Sequence, residues 1–459
     1  MQALLISLFT LLCIITGSAL IVLVNGQKTL RSGMGMVSLA FLLGTGVSSL
    51  LVFLVELIQL PITATILWGI QSGFVVLALW LKRKAVPELF RAYSVMPGIA
   101  DLLPILIALA FGVISFWRSF YFPPYSYDSL LGIDLIAKYA VRDGSIAGSA
   151  LFETLLPLTK SYGNQLFYAP YAMLMQVLTR GIGIDFGQVW LGLLSFFFYL
   201  FFYAAARQHA HAAMAFAALL FIIFVPEFYA YSFILQTDYS NAVFFFIGVY
   251  FFYRYSQENL NSTLALACTG MFLACWSRTE TIFFMPFGSL WLLIAGYLRN
   301  RVINWQLIKS PLFFTAIPAI AVFLWSILYK GLYLPDTVSL AEQIQLKSGN
   351  LAVNIGQHFR EMNAIVIFKN DYWNYSIPTF CIIFVSGLLI SAYKKSIPKG
   401  IELLFWILAL YIGFHLLLLT FHSVAIPFTF RRGFFKFIPI MGLYIALGDV
   451  GQLINAKSK

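Results

Sequence analysis

Apolar runs of about 20 residues, recurring from one end of the chain to the other, constrain this sequence more than any other feature. A helix needs roughly 20 apolar residues to cross a bilayer core of about 30 Å. Thirteen runs approach that length, at about 3–24, 34–56, 61–81, 100–117, 186–206, 212–230, 239–254, 262–277, 281–298, 311–329, 375–393, 401–421 and 434–451. Charged or Pro/Gly-rich breaks separate them. The first run has no basic stretch before it and no small-residue cleavage site, so it reads as a span and not a removed signal.

Composition agrees. Of 459 residues, 61% are hydrophobic and 10% charged, where an ordinary soluble protein carries about a quarter charged. Too few polar residues are present to cover a globular surface, and too many apolar ones for disorder. Collagen, a coiled coil and a disulfide scaffold are excluded as well. The expected fold class is an all-α polytopic membrane protein of about 13 transmembrane helices. Cys13, Cys268, Cys275 and Cys381 all lie in apolar runs without zinc-site spacing, and read as small buried residues.

Lys and Arg on short loops orient such a chain. The clusters Lys28/Arg31, Lys82/Arg83/Lys84/Arg91, Arg299/Arg301/Lys309 and Lys394/Lys395/Lys399 all fall on one side of thirteen spans. Arg207, Arg254, Lys457 and Lys459 fall there too. That side is expected to face the cytoplasm of a bacterial cell, with the N-terminus outside and the C-terminus inside. Of the 18 acids, only Glu88, Asp101, Glu258, Glu402 and Asp449 share it. The net charge of +11 is therefore an orientation signal facing anionic headgroups, and not a nucleic-acid footprint.

Two long segments, 118–185 and 330–374, land outside, and loops of that length are usually functional. They divide the chain into three extra N-terminal helices (1–98), a central module carrying the first loop (99–310) and a C-terminal module carrying the second (311–459). The first loop opens Tyr-Phe-Pro-Pro-Tyr-Ser-Tyr-Asp-Ser at 121–129 and continues into a helix-like stretch at 130–142. The amphipathic run at 165–180 is expected to lie flat on the outer membrane surface. No internal repeat or low-complexity tract is visible.

Four patches on that outer side carry candidate chemistry. They are Pro123-Pro124-Tyr125-Ser126-Tyr127-Asp128-Ser129-Leu130 with Lys138 and Gly144, then Gln236-Thr237-Asp238-Tyr239, then Ser277-Arg278-Thr279-Glu280, then Arg431-Arg432-Gly433. Their order resembles the GT-C class of integral-membrane glycosyltransferases, which use polyprenyl-phosphate-linked sugars. The likeness covers roughly 100–450. The chain departs from the simplest family pattern by its three extra helices and by showing no separate soluble outer domain after the last span.

The resemblance implies an inverting transfer of a sugar from a polyprenyl-phosphate carrier to a lipid, glycan or protein acceptor at the outer face. It makes Asp128 the base that takes the acceptor proton. By residue chemistry alone Asp128 serves equally as the N-cap of the following helix. With Asp238 it could instead hold a divalent cation such as Mg or Mn. Arg278, Arg431, Arg432, Lys138 and Lys160 are the candidate cations for the phosphate leaving group. Arg278 could also be an interfacial residue paired with Glu280.

Asp238, Glu280 and Glu227 are candidate second acids or acceptor-orienting groups, although Asp238 also suits the N-cap of the next span. His358 and His422 read as ordinary loop residues, and His415 as packed in a span against a neighbour's hydroxyl or carbonyl. Tyr372, Trp373 and Tyr375 read as an interfacial aromatic anchor, with sugar stacking as the alternative. In the family the 330–374 region, with Asp336, Glu342 and Lys347, orders over donor or acceptor. A glycan polymerase or ligase of another fold also fits outer loops with Arg. A lipid-carrier or solute transporter fits less well, because no repeat or mid-membrane charge is seen.

Overall fold

The computed structural model describes residues 1–126, 128–152, 169–185, 187–301, 305–334, 355–418 and 426–457. Tyr127, Lys160, Asp336, Glu342, Lys347 and His422 lie outside the described residues, as does the His358 side chain. Among the described residues the structure is helical, with no strand.

A helix stands at each of the thirteen apolar runs. Among the described residues, nine helical segments are long and apolar enough to cross a membrane. They are Gln2–Leu23, Gly33–Leu57, Ala64–Leu81, Ile99–Tyr121, Val189–Arg207, Thr279–Arg299, Leu307–Tyr333, Ser376–Tyr393 and Phe430–Ile454. Ala212–Ile223 and Ile401–Leu417 are apolar but shorter. Thr237–Glu258 and Asn261–Ser277 are buried on nearly every face, and polar residues are interspersed along them.

Packing follows the chemistry of a hydrocarbon solvent. The Leu102–Tyr121 helix buries Pro104, Ala108, Gly112, Ser115 and Ser119. It exposes Leu103, Leu106, Val113 and Trp117. Small residues turned inward let helix backbones approach, while lipid solvates the large apolar side chains. Gly17 and Gly44 show how close that approach is. A Cβ on Gly17 would sit 1.7 Å from the carbonyl oxygen of Ala40, and one on Gly44 would sit 1.8 Å from that of Cys13. Gly270 is also tight: a Cβ there would sit 2.4 Å from the backbone nitrogen of Gly248, where Asn261–Ser277 crosses Thr237–Glu258.

Polar contacts mark two ends of the bundle. At one end Arg207 meets Asp101 at 2.9 Å, Gln257 donates to Glu402 at 2.7 Å, and Ser391 donates to Asp449 at 2.7 Å. At the other end Glu56 closes the Gly33–Leu57 helix. Its carboxylate accepts from the Ile146 and Ala147 backbone N–H groups at 2.9 Å each and from the Tyr329 hydroxyl at 2.8 Å. That carboxylate ties the first long loop to the Leu307–Tyr333 helix.

The Tyr171–Gly181 helix corrects the sequence reading of 165–180. It does not lie on a surface: Tyr171 to Thr179 are all buried. Its polar residues have partners inside the protein. The Tyr171 hydroxyl donates to Thr45 at 2.9 Å, Gln176 donates to Asp134 at 2.7 Å, and Arg180 lies 2.7 Å from the same carboxylate. The amphipathic pattern reflected a buried polar network and not an aqueous face.

Candidate active site

The first long loop begins where Phe122, extended, precedes Pro123 and Pro124. Two prolines in succession deny the helix its hydrogen bonds and hold the chain extended. The Ser126 and Ser129 hydroxyls then both donate to the Leu235 carbonyl, at 3.1 and 2.5 Å. These bonds draw the turn at Asp128 against the start of the Thr237–Glu258 helix. The Asp128 side chain makes no cap hydrogen bond to the helical turn it opens. It accepts instead from Arg432 Nη1 at 2.9 Å.

Arg432 is shared. The same Nη1 donates to Gln236 Oε1 at 3.2 Å and lies 3.7 Å from Asp238 Oδ2. Asp238 occupies the first turn of its helix, where the macrodipole favours a carboxylate. It is 2% exposed and forms an ion pair with Arg278. Arg278 stands in extended backbone just beyond the Asn261–Ser277 helix, and its Nε lies 2.5 Å from Glu280. Arg431 pairs with Glu227 at 3.1 Å, and its guanidinium lies 4.8 Å over the Tyr372 ring. Glu227 follows the Ala212–Ile223 helix on a short turn of its own.

Lys436 completes the group. It lies one helical turn beyond Arg432, is 1% exposed, and sits within electrostatic reach of Glu280, with its ammonium 5.5 Å from the Phe414 ring. Asp128, Glu227, Asp238 and Glu280 thus face Arg278, Arg431, Arg432 and Lys436 in a cluster whose formal charges cancel. Desolvated charges persist in such a place only when each has a partner of opposite sign.

Three of the four sequence patches therefore converge with Asp128 through direct ion pairs. Lys138 does not join them. It pairs with Asp134 at 2.8 Å, in the network that also holds Arg180, Gln176 and Trp190. Asp128 and Asp238 both address Arg432, and among the described residues no three His, Cys, Asp or Glu side chains gather as metal ligands. Trp373 is a second correction. It is fully buried, donates to the Val366 carbonyl at 2.7 Å and packs on Phe434 and Phe435, so it braces the Arg431–Arg432 segment. Tyr375 is 69% exposed. His415 is packed between rings, 4.7 Å from Phe359 and 4.4 Å from Tyr411, and its Nε2 meets no hydroxyl or carbonyl among the described residues.

Lys436, Asp134, Arg180 and Glu56 were missed by the sequence reading. Each is a charge in or beside an apolar run, and that placement was the available signal.

No family model, no curated protein and no solved structure matches this chain. What the fold defines is an all-α protein with apolar helices of membrane-spanning length and a partly buried charge cluster at one end of its bundle.

Proposed function

We propose that this protein is a polytopic membrane glycosyltransferase of the GT-C kind. On this reading thirteen helices cross a bacterial cytoplasmic membrane, with the N-terminus outside and the C-terminus in the cytoplasm, and the charge cluster lies at the outer face. The enzyme moves a sugar from a polyprenyl-phosphate carrier to an acceptor hydroxyl or amine. The observation that carries the reading is Arg432, held between Asp128 and Asp238.

A base and a cation placed side by side suit inverting transfer. The acceptor oxygen or nitrogen attacks the anomeric carbon and gives its proton to Asp128. The bond to the phosphate oxygen breaks, and the electron pair leaves on the lipid phosphate. Arg432 and Arg278 stand ready to neutralise that charge as it develops. Arg is suited to the task because its planar fork matches two phosphate oxygens. Pairing with carboxylates holds each guanidinium in position before substrate arrives, which lowers the reorganisation needed during the reaction.

The test is turnover of a polyprenyl-phosphate sugar by purified Asp128→Asn. Loss of general-base catalysis is expected to slow the reaction by about 10²–10⁴-fold while the protein stays folded. Turnover like that of the unmodified protein, in a folded variant, would sink the assignment.

A further inference from the structure

The opposite end of the bundle holds a cavity of about 300 Å³ that the proposed reaction does not use. Arg31, Ser32, Met96, Asp101, Tyr203 and Arg207 are among its walls. The Gly33 N–H donates to the Val95 carbonyl at 3.0 Å, which holds the 95–97 stretch against the start of the Gly33–Leu57 helix. Asp101 accepts from the Tyr203 hydroxyl at 2.6 Å and from Arg207 Nε at 2.9 Å, and Arg207 Nη1 donates to the Ala210 carbonyl at 3.1 Å. Arg207 Nη2 and the whole Arg31 guanidinium make no bond among the described residues. Ser32 accepts from Gly35 N–H and keeps its own proton for donation. The cavity therefore holds two guanidinium groups against one carboxylate, with N–H and O–H donors to spare.

An apolar strip adjoins these donors. Val95, Met96, Ile99, Leu102, Leu103 and Leu106 are all exposed, Met96 by 85% and Ile99 by 89%. They lead from the cavity mouth along the outside of the Leu102–Tyr121 helix. A soluble phosphate compound would have no use for that strip, whereas acyl chains would cover it.

We propose that this cavity is a built site for an anionic phospholipid. Its phosphate would lie between Arg31 and Arg207, and its acyl chains along Leu102, Leu103 and Leu106. The site is independent of the glycosyl-transfer reading, because it shares no residue with the charge cluster.

The test uses the full-length protein, delipidated and titrated with phosphatidylglycerol, with bound lipid counted by native mass spectrometry. Arg31→Gln is expected to weaken binding about fivefold, the worth of one basic residue beside an anionic phosphate. Arg31 is exposed and makes no ion pair, so this variant should fold. Met96→Asp, which sets a negative charge at the mouth, should weaken binding at least as much. Lys394→Gln, an exposed charge outside the cavity, should leave it unchanged. Equal binding by Arg31→Gln and the unmodified protein would overturn the proposal. So would an equal loss in Lys394→Gln, equal binding of phosphatidylcholine, or competition by glycerol phosphate at the same concentration as the lipid.

Discussion

At the scale of single residues, burial separates charges that support the fold from charges that sit at its margin. Asp238 and Arg278 have side chains 1% and 9% exposed, and removing Arg278 leaves the Asp238 carboxylate only the more distant Arg432, 3.7 Å away, in a medium that solvates it poorly. Arg278→Gln is expected to cost about 3–5 kcal/mol, measured by denaturation in detergent. Arg432→Gln should cost less, because Asp128 is 16% exposed and reaches water. Lys138→Gln should cost under about 1 kcal/mol and leave turnover intact. Its side chain is 52% exposed, and Asp134 keeps Arg180 and Gln176 as partners. A large loss of turnover in that variant would return Lys138 to the candidate site. The sequence offered Asp128 as the base and Lys138 as a candidate phosphate cation on one loop. Only their partners distinguish them, and those partners lie far along the chain.

At the scale of elements, helix pairing rests on glycine at a few crossings. Gly17 and Gly44 set Gln2–Leu23 against Gly33–Leu57 with no room for a methyl group. The obstructing atoms are backbone, which cannot swing aside. Gly44→Ala should therefore destabilise by about 1–3 kcal/mol, the usual cost of overpacking, or more. Gly73 on the Ala64–Leu81 helix has nothing within 4 Å of a built Cβ. Gly73→Ala should be neutral or stabilising, because alanine favours helix more than glycine does. Parallel thermal unfolding of the two variants checks both expectations.

The elements were also the most legible level of the sequence. All thirteen apolar runs coincide with helices, because the tendency to avoid water sums locally along a segment. The Tyr171–Gly181 helix was misplaced for the same reason. Gln176 and Arg180 read as surface residues until Asp134 is seen beside them. Trp373 likewise read as an interfacial ring until Phe434 and Phe435 are found packed on it.

At the scale of the whole molecule, the two ends of the bundle differ in kind. One gathers acids and arginines around the buried Asp238, Arg278 and Lys436, and the other carries exposed lysines such as Lys28 and the cavity lined by Arg31 and Arg207. The orientation proposed from those lysines has a direct check. Ser376–Tyr393 is 18 residues long, about 27 Å by helical rise, close to the thickness of a bilayer core. Tyr375→Cys before it and Lys394→Cys after it should react with impermeant thiol reagents from opposite sides of the membrane, the first from outside. Cys381, half-buried, would be replaced by serine beforehand, while Cys13, Cys268 and Cys275 are buried and should stay silent. Labelling of both positions from one side would remove the span from the proposed topology.

The sequence by itself determined the membrane character and the positions of the helices. These follow from transfer free energies that each segment carries alone. The tertiary structure decided which charges meet. Asp128 and Arg432 stand 304 residues apart, and nothing local to either names the other. Their pairing depends on how intervening helices pack, and in hydrocarbon that packing depends on small residues and buried polar contacts, because apolar surface finds lipid as good a neighbour as protein.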